Sequence, residues 1–260
     1  MSLSPSYAPG QSAVKTRSIE ILDPESGLFV SLTSGGNGAI MLGEDVVAAA
    51  PIPANGLDPL VDGSPLELET EHGELAVSIE STGEPISFDG ELTGRREASL
   101  VKAQGRLVHR DQEIGLDCRG VLHRREEDAP ETAGLSRDAT IILADGGLIC
   151  IAAAAPEGDF DHGDEETVAA ITHPGGYIEF DEVLLSTEYD TAGRQRRATL
   201  ELWPATDEVA ALHGAGSVIA GCTAKVGGSA INTALFRWSL DGHLGLGRYE
   251  ITRPAAVAVA

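Results

Sequence analysis

Asp241-Gly242 lies between two alternating runs, 234–240 and 243–250, which is the strongest short-range signal for a two-residue β-hairpin. With those residues as the turn, Leu240 faces His243, Trp238 faces Gly245, Phe236 faces Gly247 and Ala234 faces Tyr249. Side chains alternate across a strand, so Phe236, Trp238, Leu240, His243 and Tyr249 share one face. Arg237, Ser239, Arg248 and Glu250 share the other. Aromatic residues are only 4% of the chain, so their convergence on one face stands well above background. That face is either the core of a β-barrel or the wall of a ligand cavity. Glycines opposite large rings fit both readings: rings packed over bare backbone, or space kept for a ligand.

The same short-strand grammar runs through the chain. Alternating or apolar runs at 27–33, 38–42, 65–70, 75–80, 86–92, 99–110 and 113–119 are separated by Gly, Pro, Asp and Asn. A second series follows at 139–143, 147–153, 167–172, 177–185, 197–203 and 217–225. No segment holds apolar residues at helical spacing for three turns, so the fold class is all-β, sandwich or barrel. The stretch RREEDAPETAGLSR, 124–137, is charged and carries Pro and Gly, which reads as a linker. The expected organisation is a disordered lead-in over 1–16, a β-domain over 17–123, the linker over 124–137 and a second β-domain over 138–255.

A formal charge of -23 excludes nucleic acid and anionic membrane as partners, since both require a basic footprint. The longest apolar runs, 46–50 and 149–155, are too short to span a bilayer, so no membrane insertion is expected. Cys118, Cys150 and Cys222 are widely spaced and form no CxxC pair, which suits a reducing cytoplasm better than a disulfide framework or zinc site. The first residues lack the apolar run of a signal peptide. Neither a GxSxG elbow nor a phosphate or dinucleotide loop is present, so no cofactor and no metal are expected.

A second hairpin is readable around Asp111-Gln112. With that turn, Arg110 pairs with Glu113, His109 with Ile114, Leu107 with Leu116 and Arg106 with Asp117. Both opposite-charge pairs then fall on one face, and His109 joins Leu107, Ile114, Leu116 and Cys118 on the other. His109 is either a core histidine or an acid–base group lining a cavity. The acidic run EGDFDHGDEE, 157–166, is a solvated loop or, less simply, an oxygen-rich cation site. His173 precedes a Pro-Gly-Gly turn and Tyr177 follows it, a loop position suited to a barrel mouth.

The closing segment RRATLELWP, followed by FRWSLDGHLGLGRYEITR, resembles the end of the hydroxyneurosporene synthase/AttH-like family. The matching residues are Phe236, Trp238, Asp241, Gly242, Gly245, Gly247 and Glu250. A fainter likeness lies in GLDCRGVLHRR, where His123 and Arg125 match a family Arg-Asp-His-Ser-Trp-Gly stretch, with the Trp absent and Val121-Leu122 intervening. The resemblance implies two lipocalin-like β-domains with a hydrophobic pocket in or between them. It also implies isoprenoid- or polyketide-like ligands, handled by hydratases or cyclases.

Beside a purely structural or interaction module whose aromatic face is simply core, two functions remain open. One is a cofactor-free hydratase/lyase, isomerase or cyclase acting on a small hydrophobic molecule. Its pocket would use Phe236, Trp238, Tyr249, His243, Tyr177 and His173, and its proton chemistry His109, His123, Asp117 or Glu250. The other is a non-catalytic carrier that needs the same pocket and no poised acid.

Overall fold

A computed structural model describes residues 14–34, 38–43, 45–49, 65–70, 73–126, 133–156, 165–173, 176–205, 210–226 and 228–254. Among them every regular element is a β-strand. The N-terminal half contributes β1 (Val14–Asp23), β2 (Leu28–Thr33), β3 (Gly38–Leu42), β4 (Asp45–Ala49), β5 (Pro65–Thr70), β6 (Gly73–Ser81), β7 (Ile86–Phe88), β8 (Arg96–His109) and β9 (Gln112–Glu126). They form one nine-stranded antiparallel sheet in the order β4-β3-β2-β1-β9-β8-β6-β5, with β7 also on β8. The C-terminal half contributes β10 (Ala133–Leu143), β11 (Leu148–Pro156), β12 (Glu166–His173), β13 (Gly176–Tyr189), β14 (Gln195–Pro204), β15 (Leu212–Val226), β16 (Ser229–Leu240) and β17 (His243–Pro254). These eight close into a barrel through the β10–β17 pairing.

The open sheet lays one face on the barrel's outer wall, and alternation explains how. On β1, Ile19 and Ile21 enter the sheet's own core with Leu122 of β9, while Leu22 and Val121 point at the barrel. There they meet Ile142, Leu148, Cys150 and Leu235. The barrel's β11 reads LICIAAAA because it is buried on both faces, as a near-continuous apolar strand must be. Ile149 and Ile151 point into the barrel and Leu148 and Cys150 toward the sheet.

The final hairpin has the register that alternation dictates: Leu240 opposite His243, Trp238 opposite Gly245, Phe236 opposite Gly247 and Ala234 opposite Tyr249. Asp241 and Gly242 both have positive φ, 45° and 89°, as the primed hairpin turns require. Phe236, Trp238 and Tyr249 are fully buried inside the barrel. Their ring centroids lie 5.3 to 6.2 Å apart, the range of favourable aromatic pairs. The glycines beside them are required by close approach. A Cβ on Gly216, across from Trp238, would fall 2.6 Å from the indole, and one on Gly247 would fall 1.6 Å from the Thr140 carbonyl oxygen.

Three expectations need correction. The first hairpin turns at Arg110-Asp111, with φ of 49° and 62°, so His109 pairs with Gln112 and Leu107 with Ile114. Moving the turn by one residue displaces every pair by two, which preserves the faces and changes only the partners. Asp117 therefore meets Lys102 at 3.1 Å, and Arg106 meets Glu74 at 3.4 Å. The expected linker 124–137 narrows, because β9 runs to Glu126 and β10 starts at Ala133; residues 127–132 lie outside the described range. Its charges looked like linker composition, but Arg124 faces Glu97 and Arg137 is buried against Glu165. The expected lead-in 1–16 is likewise shortened, since β1 begins at Val14; residues before it lie outside the described range.

Candidate functional site at the sheet–barrel junction

Where the sheet meets the barrel, the apolar contact is interrupted by a buried polar cluster. Glu20 of β1 is wholly inaccessible, and its Oε1 accepts from Arg248 Nε at 2.7 Å and Thr140 Oγ1 at 3.0 Å. His123 Nε2 lies 2.8 Å from the same oxygen and 3.3 Å from the Thr140 hydroxyl. Position dictates this meeting. Ser18, Glu20 and Leu22 share a face of β1 with His123 and Val121 of β9, while Thr140 and Arg248 point outward from the barrel. Arg248 also holds Glu250 at 3.0 Å, and Glu250 accepts from Thr233 Oγ1 at 2.7 Å.

The electrostatics follow from burial. Desolvation alone would push the Glu20 carboxyl up, but Arg248, then His123 and the Thr140 hydroxyl, outweigh it and hold the group at about 2. Burial likewise opposes the charge on Arg248, and Glu20 and Glu250 overcome it, so its guanidinium is held above the ordinary range. A carboxylate against one ring nitrogen orients an imidazole for proton transfer. The His123 side chain is 18% exposed and lines a cavity of about 120 Å³ at the junction.

Beside this cluster lies a larger, mainly apolar groove of about 730 Å³ between sheet and barrel. Leu22, Ile142 and Leu246 line it, two residues along their strands from Glu20, Thr140 and Arg248. Asp117, Arg119 and Arg237 stand among its polar groups.

Of the residues singled out from the sequence, His123 and Glu250 come together through Arg248 and Glu20. Asp117 stands on the same face of β9 as His123 but at the groove. His109 is buried near the far end of β8, on the alternation of Leu107 and away from the barrel. Phe236, Trp238 and Tyr249 fill the barrel interior. Tyr249 hydrogen-bonds Thr187, and burial raises its phenol to about 12 against the lowering effects of Arg137 and Thr187. His243 is exposed, 3.5 Å from Asp145. Tyr177 donates its hydroxyl to the Ser87 carbonyl at 2.7 Å, tying barrel to sheet. His173 pairs with Gly176 at the end of β12.

Sequence reasoning missed Glu20, Thr140 and Arg248. Alternation in SIEIL sets Glu20 on the face opposite Ile19 and Ile21, where an acid reads as solvent-facing, and only Leu22 on that same face hints that it is covered. The acidic run 157–166 also yields a surprise within its described end. Glu166 accepts from the backbone N–H groups of Glu91, Leu92 and Thr93 at 2.6 to 2.8 Å, a carboxylate seated in a nest of amides. Glu165 pairs with buried Arg137. Residues 157–164 lie outside the described range.

This architecture, an open antiparallel sheet packed on a closed barrel, is the two-domain lipocalin-like fold of AttH-type proteins. An AttH-like protein from Nitrosomonas europaea superposes with a TM-score of 0.63 at 12% identity, over 96% of this chain and 98% of that one. Kievitone hydratase from Nectria haematococca gives 0.55 at 9%, over 95% and 90%. CghA solved with Sch210972 gives 0.52 at 10%, over 92% and 88%. No protein-family model and no curated protein matches the sequence.

Proposed function

We propose that this chain is a cofactor-independent enzyme, a hydratase/lyase, isomerase or cyclase, acting on a small hydrophobic, isoprenoid- or polyketide-like molecule. The observation that carries the reading is the apolar groove of about 730 Å³ alongside buried Glu20 and its partly exposed partner His123. Its volume lies within the roughly 300–1,000 Å³ of small-molecule sites. In this reading the groove holds and folds the apolar body, and His123 gives or takes the proton while Glu20 orients it. Asp117 contributes at the groove. The names of two proteins of this fold, kievitone hydratase and CghA crystallised with Sch210972, support the assignment. Cys118, Cys150 and Cys222 are free thiols, in keeping with work in the cytoplasm. No described helix is long and apolar enough to cross a membrane.

The test is a turnover screen with apolar alkenes and polyenes, followed by His123→Asn on any active substrate. We expect kcat to fall about 10²- to 10⁴-fold while ligand affinity is retained. Saturable binding with no turnover of any member would instead establish a carrier, and full activity in His123→Asn would remove the residue from the chemistry.

A further inference from the structure

The small cavity at the junction carries more positive charge than its own acids can satisfy. Arg96, Arg124, Arg125 and Arg248 line it, against Asp138 and Glu250 as lining carboxylates. Both acids are engaged, Asp138 with Arg96 and Glu250 with Arg248 and Thr233. Glu20 stands behind, shared by Arg248 and His123. Arg124 reaches Glu97 only at 3.9 Å. Arg125 sits directly opposite Arg96 across β8 and β9, and like charges opposed on one sheet face destabilise the pairing. Arg96 Nη2 and Arg124 Nε are buried and have no hydrogen-bond partner among the described residues, an arrangement that costs free energy unless something accepts from them. In a chain with 41 acidic and 18 basic residues, such a concentration of guanidinium is not background.

We propose that this cavity is a binding site for a compact oxyanion, a carboxylate or a group of the same size and charge, bridging Arg96 and Arg125. A space of about 120 Å³ admits a head group of a few heavy atoms. Planar guanidinium groups suit a carboxylate because each presents paired N–H donors. Thr16 lies beside Arg125 and Ser18 beside His123 on the neighbouring strand, so hydroxyls complete the donor set. Arg125 feels burial first and Arg96 second, both acting against its charge, with Asp138 opposing them; a bound anion relieves this. The inference goes beyond the proposed activity and holds whether the groove's ligand is converted or only carried.

The experiment is a ¹⁹F NMR titration of trifluoroacetate into the full-length protein, which needs no turnover. Saturable broadening, displaced by acetate and untouched by methylammonium, is expected. Arg125→Gln should weaken binding about tenfold or more, and Arg125→Lys should retain part of it. Octanoate binding about tenfold tighter than acetate would make the oxyanion the head of the groove's own ligand; equal affinities would make it a free anion. Absence of saturation with the wild-type protein overturns the proposal even if a variant does not fold. So does unchanged affinity in a folded Arg125→Gln.

Discussion

Glu20 is out of reach of bulk solvent, and its charge persists because Arg248, His123 and Thr140 take the place of solvent as partners. Removing the acid leaves Arg248 buried beside Glu250 alone. We expect Glu20→Gln to cost about 3–5 kcal/mol in chemical denaturation, as breaking one half of a buried ion pair does. The folded carboxyl, near 2, lies below the ordinary value of 4.5. Its stabilising contribution is therefore complete above pH 4.5 and lost as pH falls toward 2. Acid titration of stability should show this component in the wild type and lack it in Glu20→Gln. Trp238, inside the barrel, is a different kind of residue: no part of it is accessible, and it packs over Gly216. Trp238→Ala should cost about 3–5 kcal/mol of stability, read as a lowered unfolding midpoint.

At the scale of single elements, the first hairpin illustrates how far pattern carries. Its turn is Arg110-Asp111, with left-handed φ at both positions, although neither residue is the preferred one there. Replacing the pair by Asn-Gly should raise stability by about 0.5–1 kcal/mol, the roughly 1–2 kcal/mol left-handed penalty relieved at Asp111 less the entropic cost of a glycine, measured as a shift in the urea midpoint; a loss would show that the native side chains matter. The sequence placed the turn one residue late because Asp-Gln and Arg-Asp are both weak signals, and alternation cannot distinguish registers that differ by two. It located the Asp241-Gly242 hairpin to the residue because Asp-Gly is selective. Strands with clean alternation, such as β5, were legible to their ends, whereas β1 and β4 were overlooked. The junction was legible only in part. His123 and Glu250 could be named from a resemblance, but their connection runs through Glu20, which adjoins Thr140 and Arg248 only once sheet and barrel pack. Nothing local in SIEIL encodes a partner more than two hundred residues away.

For the whole molecule, the decisive fact is that the open sheet and the closed barrel share a core. Leu22, Phe29, Met41 and Val121 of the sheet bury against Ile142, Leu148, Ala220 and Leu235 on the outside of the barrel. The Glu166 carboxylate, seated on three amides of the 91–93 turn, pins the same two bodies at another point. The barrel expressed alone, residues 133–254, would expose that apolar wall. It should bind a hydrophobic dye and self-associate on size-exclusion chromatography, and the intact chain should unfold in one cooperative transition. A monodisperse, dye-silent barrel would contradict this account. The Glu20–Arg248 contact spans 228 positions, and this sets a timetable for biosynthesis. While the ribosome is still delivering the chain, the first strand carries an acid whose counterion has not yet been made. The nascent N-terminal sheet must wait with its barrel-facing side uncovered until the barrel strands, β17 among them, have emerged. Maturation of the junction therefore waits on β17, whose Arg248 arrives to neutralise Glu20 of β1.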